Sequence, residues 1–266
     1  MPANYSHLLP QDTTFPNAAR IYDYTVGGTF NVAADRDAAE FMFYLVPSTR
    51  KWVVMLREFL QVVARELHAD GFTQFLDLGS GLPTESHIHQ VLPPEVRVVY
   101  CDIDPLTVQY GQALVAGMPN AHYLEGDIQA LEQFLQSEAV SSLIDRSKKV
   151  AIGLNGVVTF FQADEIQRIA RVLYDWAPEG SEITATFETK DEGVTTPAFD
   201  QFEGMFAQTG SPMYFLSLDT YREAMQPWQV HRMETLADYL GKPTGYITEA
   251  DREGVGIEFY AARFRK

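Results

Sequence analysis

Asp77-Leu78-Gly79-Ser80-Gly81-Leu82-Pro83-Thr84 decides how this chain is read. The stretch follows a short apolar run, Phe75 to Leu78, and precedes a helical pattern. Glycines at such a place let the backbone turn tightly and let a ligand approach the main chain. The start of a following helix offers N–H groups without intrahelical partners. A loop that cradles a pyrophosphate wants a third glycine three residues on, and Thr84 stands there instead. Asp77, two residues before the first glycine, would repel a pyrophosphate and suits a ligand that carries an ammonium group.

Outward from this loop the chain alternates. Apolar β-type runs occur at 75–78, 97–101, 121–124, 150–154 and 183–187, with a last one near 256–264. Between them lie helical patterns at 105–116, 128–135 and 163–176, then near 198–209 and 219–225. Pro105 after Asp104 fits the first turn of a helix with an acidic cap. On 163–176, Ile166, Ile169, Ala170 and Leu173 share one face. This alternation predicts an α/β fold, a mostly parallel sheet with helices on both faces. Residues 17–70 read as helical, with Trp52, Leu56, Phe59, Leu60, Val63 and Leu67 on one side. Residues 1–16 read as an extended arm. The expected division is an N-terminal arm and helical lid, 1–70, on a Rossmann-like unit, 71–266.

Acidic residues fall at the ends of successive strands. Asp102 closes the second run, 25 positions after Asp77 (102 − 77). A carboxylate there can accept both hydroxyls of a ribose, with Asp104 close enough to share the task. Ile103 between them can pack on a base ring. Asp127 follows the third run and can accept an exocyclic amino group, with Ile128 against the ring. Each acid alone also reads as an ordinary loop or cap residue.

Asp77-x-Gly79-x-Gly81, Asp102-x-Asp104-Pro105 and Gly126-Asp127 together resemble the S-adenosylmethionine-dependent methyltransferase superfamily. A narrower bacterial family of S-adenosyl methyltransferases is similar in Asn17-Ala-Ala-Arg20-Ile-Tyr22-Asp23-Tyr24, Gly27-Gly28, Asn31 and Ala34-Asp35-Arg36. It is similar again in Gly81-Leu82-Pro83-Thr84, His89 and Thr209-Gly210-Ser211-Pro212. The resemblance implies the class I methyltransferase fold and S-adenosyl-L-methionine as cofactor, whose methionine part carries an ammonium that Asp77 would face. Cofactor contacts are then expected from Asp77, Gly79, Ser80, Gly81, Thr84, Asp102, Ile103, Asp104, Asp127, Ile128 and Asn155, with Tyr22 and Arg36 from the lid. Histidines expected in that family near the ends of strands four and five are replaced by Thr159 and Phe187, which removes two candidate bases.

Other residues stay open between two readings. Tyr22, Asp23, Tyr24 and Arg36 form either a lid hinged at Gly27-Gly28 or a helix ended by those glycines and held by an Arg–Asp pair. Tyr24, His89, Phe160 and Phe161 are candidates for an acceptor pocket, the phenylalanines equally for the core. Asn155 and Glu188, at the ends of strands four and five, are the candidate catalytic groups. His87 and His89, two apart on an expected helix, should face different ways, so no metal pair is expected. The net charge of −16 argues against nucleic acid or an anionic membrane as partner. Cys101, the one cysteine, reads as a buried hydrophobe. With no apolar run long enough to span a bilayer and no leader pattern, a cytoplasmic protein with a small-molecule acceptor is expected. A nicotinamide-dependent oxidoreductase and a cofactor-binding module without catalysis remain the rivals.

Overall fold

The computed structural model describes residues 15–84, 87–190, 195–208, 212–252 and 256–266. The expected arm at 1–14 and most of the Thr209-Gly210-Ser211-Pro212 motif lie outside the described residues. The N-terminal helical pattern resolves into α1 (Ala18–Thr25), α2 (Ala33–Leu45) and α3 (Thr49–Ala69). The alternating part then runs β1 (Gln74–Leu78), α4 (Ile88–Val91), β2 (Arg97–Asp102), α5 (Pro105–Leu114) and β3 (Ala121–Glu125). A 3₁₀ turn at Ile128–Ala130 leads into α6 (Leu131–Leu135) and α7 (Glu138–Leu143). Next come β4 (Ala151–Leu154), α8 (Ala163–Trp176), β5 (Glu182–Lys190), α9 (Pro197–Gln208) and α10 (Leu218–Ala224). β6 (Gln229–Thr235), α11 (Leu236–Tyr239), α12 (Glu249–Arg252) and β7 (Ile257–Arg265) close the chain.

The seven strands lie in the order β3-β2-β1-β4-β5-β7-β6. β1 to β5 are parallel, and β7 runs antiparallel to both of its neighbours. The chain reverses its direction of travel between β1 and β4. Such a switch point opens a crevice beyond the carboxyl ends of the strands, where open α/β sheets bind ligands. β6 has no counterpart in the sequence reading. It pairs only at the sheet edge, its first three residues are exposed, and it carries no alternating apolar pattern.

Side-chain alternation along β1 assigns its two faces. Leu76 and Leu78 enter a core with Val99, Ile152, Leu154 and the expected α8 residues Ile166, Ile169, Ala170 and Leu173. Phe75 enters the other core, where α3 lays Trp52, Met55, Phe59 and Val63 against Val98, Tyr100 and Ala151. Burying one such large apolar side chain contributes about 1.5–3 kcal/mol. α3 is thus half of a core it shares with the sheet, rather than a separate cover. No helix among the described residues is long and apolar enough to cross a membrane.

α1 and α2 form a compact polar knot. Asn17 caps α1, and its side chain also donates to Asp104 Oδ2 at 3.0 Å. Arg20 Nε meets Asp35 Oδ2 at 2.7 Å in a fully buried ion pair. Asp35 also accepts from the Asn17 and Val32 amides, both at 2.9 Å. Asp23 Oδ2 accepts from Phe30 N at 2.7 Å and from Asn31 Nδ2 at 3.0 Å. Gly27, at φ 84°, ends α1 with backbone bonds back to the helix. The glycine pair is therefore a helix terminus in this structure, and the Arg–Asp pair is Arg20–Asp35 rather than one made by Arg36. Phe30 packs with Leu82, Tyr110 and Leu114, which seats the knot against the glycine loop.

Candidate functional site

Gly79 and Gly81 have φ of 65° and 60°, a region closed to most side chains. A Cβ on Gly79 would also lie 2.6 Å from Val157 Cγ1 and 3.4 Å from Ile128 Cδ1. The loop is thus walled by the segments that follow β3 and β4. Ser80 points back into the sheet, where its hydroxyl donates to the Cys101 carbonyl at 3.2 Å. His87 and Tyr123 hold the loop from behind. Tyr123 donates to the Gly81 carbonyl at 2.5 Å, and His87 lies in hydrogen-bond reach of the Ser80 backbone.

Asp102 stands beside this loop. Its two carboxylate oxygens accept from Gly81 N and Asp104 N, each at 3.0 Å. The Ile103 amide also reaches the carboxyl, so only part of its acceptor capacity is left for a ligand. Burial raises its pKa above the usual carboxylate value, against the pull of those amides. Ile103 is 62% exposed, an apolar side chain open to solvent at the strand end. Asp104 is the N-cap of α5: Oδ2 accepts from Thr107 N and Asn17 Nδ2 at 3.0 Å and from Thr107 Oγ1 at 2.5 Å. The Leu106 amide reaches the same carboxyl, which leaves little of it for other work. Asp127 caps the 3₁₀ turn through Gln129 N at 2.7 Å, with Ile128 buried against the loop.

At the switch point the site changes character. Asp77 is 3% exposed, and burial, opposed by Arg57 and reinforced by Asp102, pushes its pKa up to about 7. Its carboxyl lies over Gly153 of β4: a Cβ there would meet Asp77 Oδ1 at 2.2 Å and Asn155 Nδ2 at 3.0 Å. A cavity of about 10 Å³, room for one water molecule, borders Asp77, Asn155 and Thr184. Asn155 Nδ2 donates to Thr184 Oγ1 at 3.0 Å, while its Oδ1 is buried without a partner. Arg57 reaches the same place from α3. It is 6% exposed, its guanidinium stacks 5.1 Å from the centre of the Tyr22 ring, and Nε and Nη1 have no partner. Its charge acts on Asp77, His87, Tyr100 and Tyr22 alike. Burial raises the Tyr22 phenol, opposed by Arg57.

The expected residues divide on this geometry. Asp77, Asn155 and Tyr22 come together, and Arg57, which the sequence reading passed over, completes the group. The signal was available: Arg57, Leu60, Ala64 and Leu67 recur at helical spacing on the buried side of α3, so a charge sits where a core residue belongs. Thr84 is buried with Oγ1 unpartnered. Tyr24 and Arg36 are not bonded into the strand-end cluster. Tyr24 donates to Glu40 at 2.6 Å on the exposed surface, and Arg36 braces Asn31. His87 and His89 were expected to diverge on one helix. Instead α4 begins at Ile88, His87 is its extended cap, and both rings meet the Tyr100 hydroxyl, at 3.2 and 2.8 Å. Burial lowers the pKa of both, His89 to about 4. Phe161 packs on the α8 core, whereas Phe160 faces Phe206 of α9 at 6.1 Å. Phe187 is buried against Tyr221 and Tyr260, and Thr159 is buried beside Glu188.

A family profile described as S-adenosyl methyltransferase matches residues 7–226. The chain belongs to that family. Its cofactor is accordingly S-adenosyl-L-methionine, and its fold is that of the class I methyltransferases. No curated protein sequence matches the chain. Solved structures do. A methyltransferase candidate from Thermobifida fusca is 28% identical over 96% of each chain, with a TM-score of 0.82. A DUF574 family protein from Streptomyces avermitilis is 24% identical, covers 96% of this chain and 99% of its own, and scores 0.81. Geranyl diphosphate C-methyltransferase from Streptomyces coelicolor, solved with Mg2+, geranyl diphosphate and S-adenosyl-L-homocysteine, shares the fold. Its TM-score is 0.52 and its identity 11%, over 78% of this chain and 81% of that one.

The side chains gathered here can be set against the groups of that cofactor. A sulfonium amino acid presents an ammonium, a carboxylate, two ribose hydroxyls and an adenine. A buried carboxyl, a buried guanidinium with two unpartnered nitrogens, a partly used strand-end carboxylate and an exposed isoleucine match those four groups in kind. Unpartnered buried polar atoms are uncommon in native proteins and call for an explanation. Among the described residues no cluster of three or more metal-ligating side chains occurs.

Proposed function

We propose that this methyltransferase acts on a small-molecule acceptor in the cytoplasm and holds its cofactor by the ends of β1, β2 and β3. S-adenosylmethionine supplies an electrophilic methyl group when bound. The chain's own residues supply alignment and exclusion of water. In this reading Asp77 accepts from the ammonium and Arg57 donates to the carboxylate. Asp102 accepts from the ribose, Ile103 and Ile128 flank the adenine, and Asp127 accepts from its amino group. Asp104 secures Asp102's loop and the α1 knot. Thr84 offers a hydroxyl to the methionine end. The observation that carries the reading is the convergence of Asp77, Arg57 and Asn155, all buried or nearly so, at the switch point. The net charge of −16 supports a small acceptor over nucleic acid or an anionic membrane. A single buried cysteine, Cys101, suits a reducing compartment.

The test separates the amino-acid end from the nucleoside end. Arg57→Met keeps the stem and removes the charge. Affinity for S-adenosylhomocysteine should fall by about 1.5–3 kcal/mol, the scale of hydrogen bonds to charged groups. Affinity for 5′-methylthioadenosine, which lacks the amino-acid end, should stay unchanged. Calorimetry that finds equal losses for both ligands, or no loss, would remove Arg57 from the site.

A further inference from the structure

β5 carries Thr184, Thr186 and Glu188 at alternate positions, hence on one face. The first two are matched from the turn that follows β4. Thr184 Oγ1 accepts from Asn155 Nδ2 at 3.0 Å, and Thr186 Oγ1 accepts from Gly156 N at 2.7 Å. β4 ends at Leu154, so nothing of that strand reaches Glu188. The Glu188 side chain is 5% exposed, and its Oε2 is buried without a hydrogen-bond partner. The Thr159 hydroxyl lies in reach of the carboxyl and also of the Tyr214 carbonyl, at 3.4 Å. Tyr221 donates to the Glu188 backbone carbonyl at 3.3 Å rather than to the side chain. Lys190, next on the same face, is held by Glu203 at 3.0 Å and lies over the Phe199 and Phe215 rings.

The rest of the surroundings are apolar. Phe259 stands opposite Glu188 in the β5–β7 register and stacks on Trp52 at 4.2 Å. Phe160, beside Thr159, meets Phe206. Phe199, Phe202 and Ile257 continue the same apolar cluster, with Met205 and Met213 against it. Asp77 and Thr184 share a register position two strands apart, through Gly153. Sheet spacing then puts the Asp77 and Glu188 Cα atoms roughly 16 Å from each other. That span suits the amino-acid end of the donor at one side and an acceptor at the other.

We propose that Glu188 is the general base of methyl transfer and that the acceptor is a neutral hydroxyl compound with an aromatic or otherwise apolar body. The proposal rests on the donor site described above. The acceptor O–H bond breaks and its proton passes to Glu188 Oε2. The oxygen electron pair forms the new bond to carbon, and the pair of the broken carbon–sulfur bond stays on sulfur. An anionic acceptor would meet the Glu188 carboxylate, with Lys190 on that face already paired with Glu203. Burial also pushes Glu188 up to about 7, which makes it a stronger base than an exposed carboxylate and matches it to a phenol or enol.

The probe is 2-naphthol, whose neutral and anionic forms emit at different wavelengths. It is titrated into the complex with S-adenosylhomocysteine. Bound naphthol should emit as the anion in the wild-type protein and as the neutral form in Glu188→Gln. S-adenosylhomocysteine affinity should agree within about twofold between the two proteins, because separated sites contribute independently. Anion emission that survives Glu188→Gln overturns the base, and absence of naphthol binding overturns the acceptor class. Loss of S-adenosylhomocysteine binding in the variant alone places Glu188 in the donor site and also overturns it. Loss in the wild type as well sinks the donor site itself. If Glu188→Gln does not fold, Glu188→Leu gives the same readout, since apolar replacements of buried charges are often tolerated.

Discussion

Asp35 and Asp77 are both buried carboxylates, at 0% and 3% exposure, yet they sit in opposite circumstances. Asp35 has Arg20 beside it at 2.7 Å and two backbone amides at 2.9 Å. Every demand of its charge is met from within α1, α2 and the turn between them. At Asp77 burial outweighs the help of Arg57, and the pKa rises to about 7. Arg57 in turn keeps two unpartnered nitrogens. In the first cluster the carboxylate of Asp35 is satisfied by folding, although Arg20 Nη1 and Asp23 Oδ1 in the same knot are buried without a partner. The second is left incomplete, which is what a binding site for a charged ligand looks like before its ligand arrives.

Asp35→Asn attacks the first cluster. It leaves Arg20 buried without its counter-charge and should cost about 3–5 kcal/mol of stability. Denaturant unfolding checks this. S-adenosylhomocysteine affinity of the folded fraction should change far less. A collapse of affinity with little loss of stability would show that the knot belongs to the binding site.

Asp102→Ala sharpens the boundary between the two kinds of cluster, because Asp102 serves both. It should weaken S-adenosylhomocysteine by about 1–3 kcal/mol, the range for charge-assisted hydrogen bonds. Amide exchange at Gly81 and Asp104 should also quicken, since both amides lose their acceptor. Unchanged calorimetric affinity would remove Asp102 from the ribose.

The sequence carried the sheet well where alternation was strong. The five parallel strands and α8 fall where their apolar patterns put them. It did not carry β6, whose side chains are largely open, nor the exact roles in the N-terminal motif. Tyr24 and Arg36 were expected as lid residues, and in the structure they bond to Glu40 and Asn31 within the N-terminal segment. Gly153 was an unread clue. A glycine inside a buried strand marks a close approach, and here it makes room for the Asp77 carboxyl. Arg57 was a second, a charge in the apolar phase of a helix. His87 misled because one residue of helix boundary decides whether two histidines diverge or meet.

The raised pKa of Asp77 fixes the sign of two effects. The folded protein holds a proton that the unfolded chain, with an ordinary pKa of 3.8, has released. This contribution therefore erodes stability as pH rises from about 4 to about 7, by at most about 4 kcal/mol. An ammonium brought beside Asp77 favours the ionised form and expels that proton. Calorimetric binding of S-adenosylhomocysteine to the wild-type protein, run in buffers of different ionisation enthalpy, counts it. Release of about half a proton at pH 7 and more near pH 6 is expected, turning to uptake near pH 9, where the free ligand's amino group has lost part of its own proton. Binding that releases no proton near pH 6 and pH 7, or takes one up there, would contradict an ammonium at Asp77.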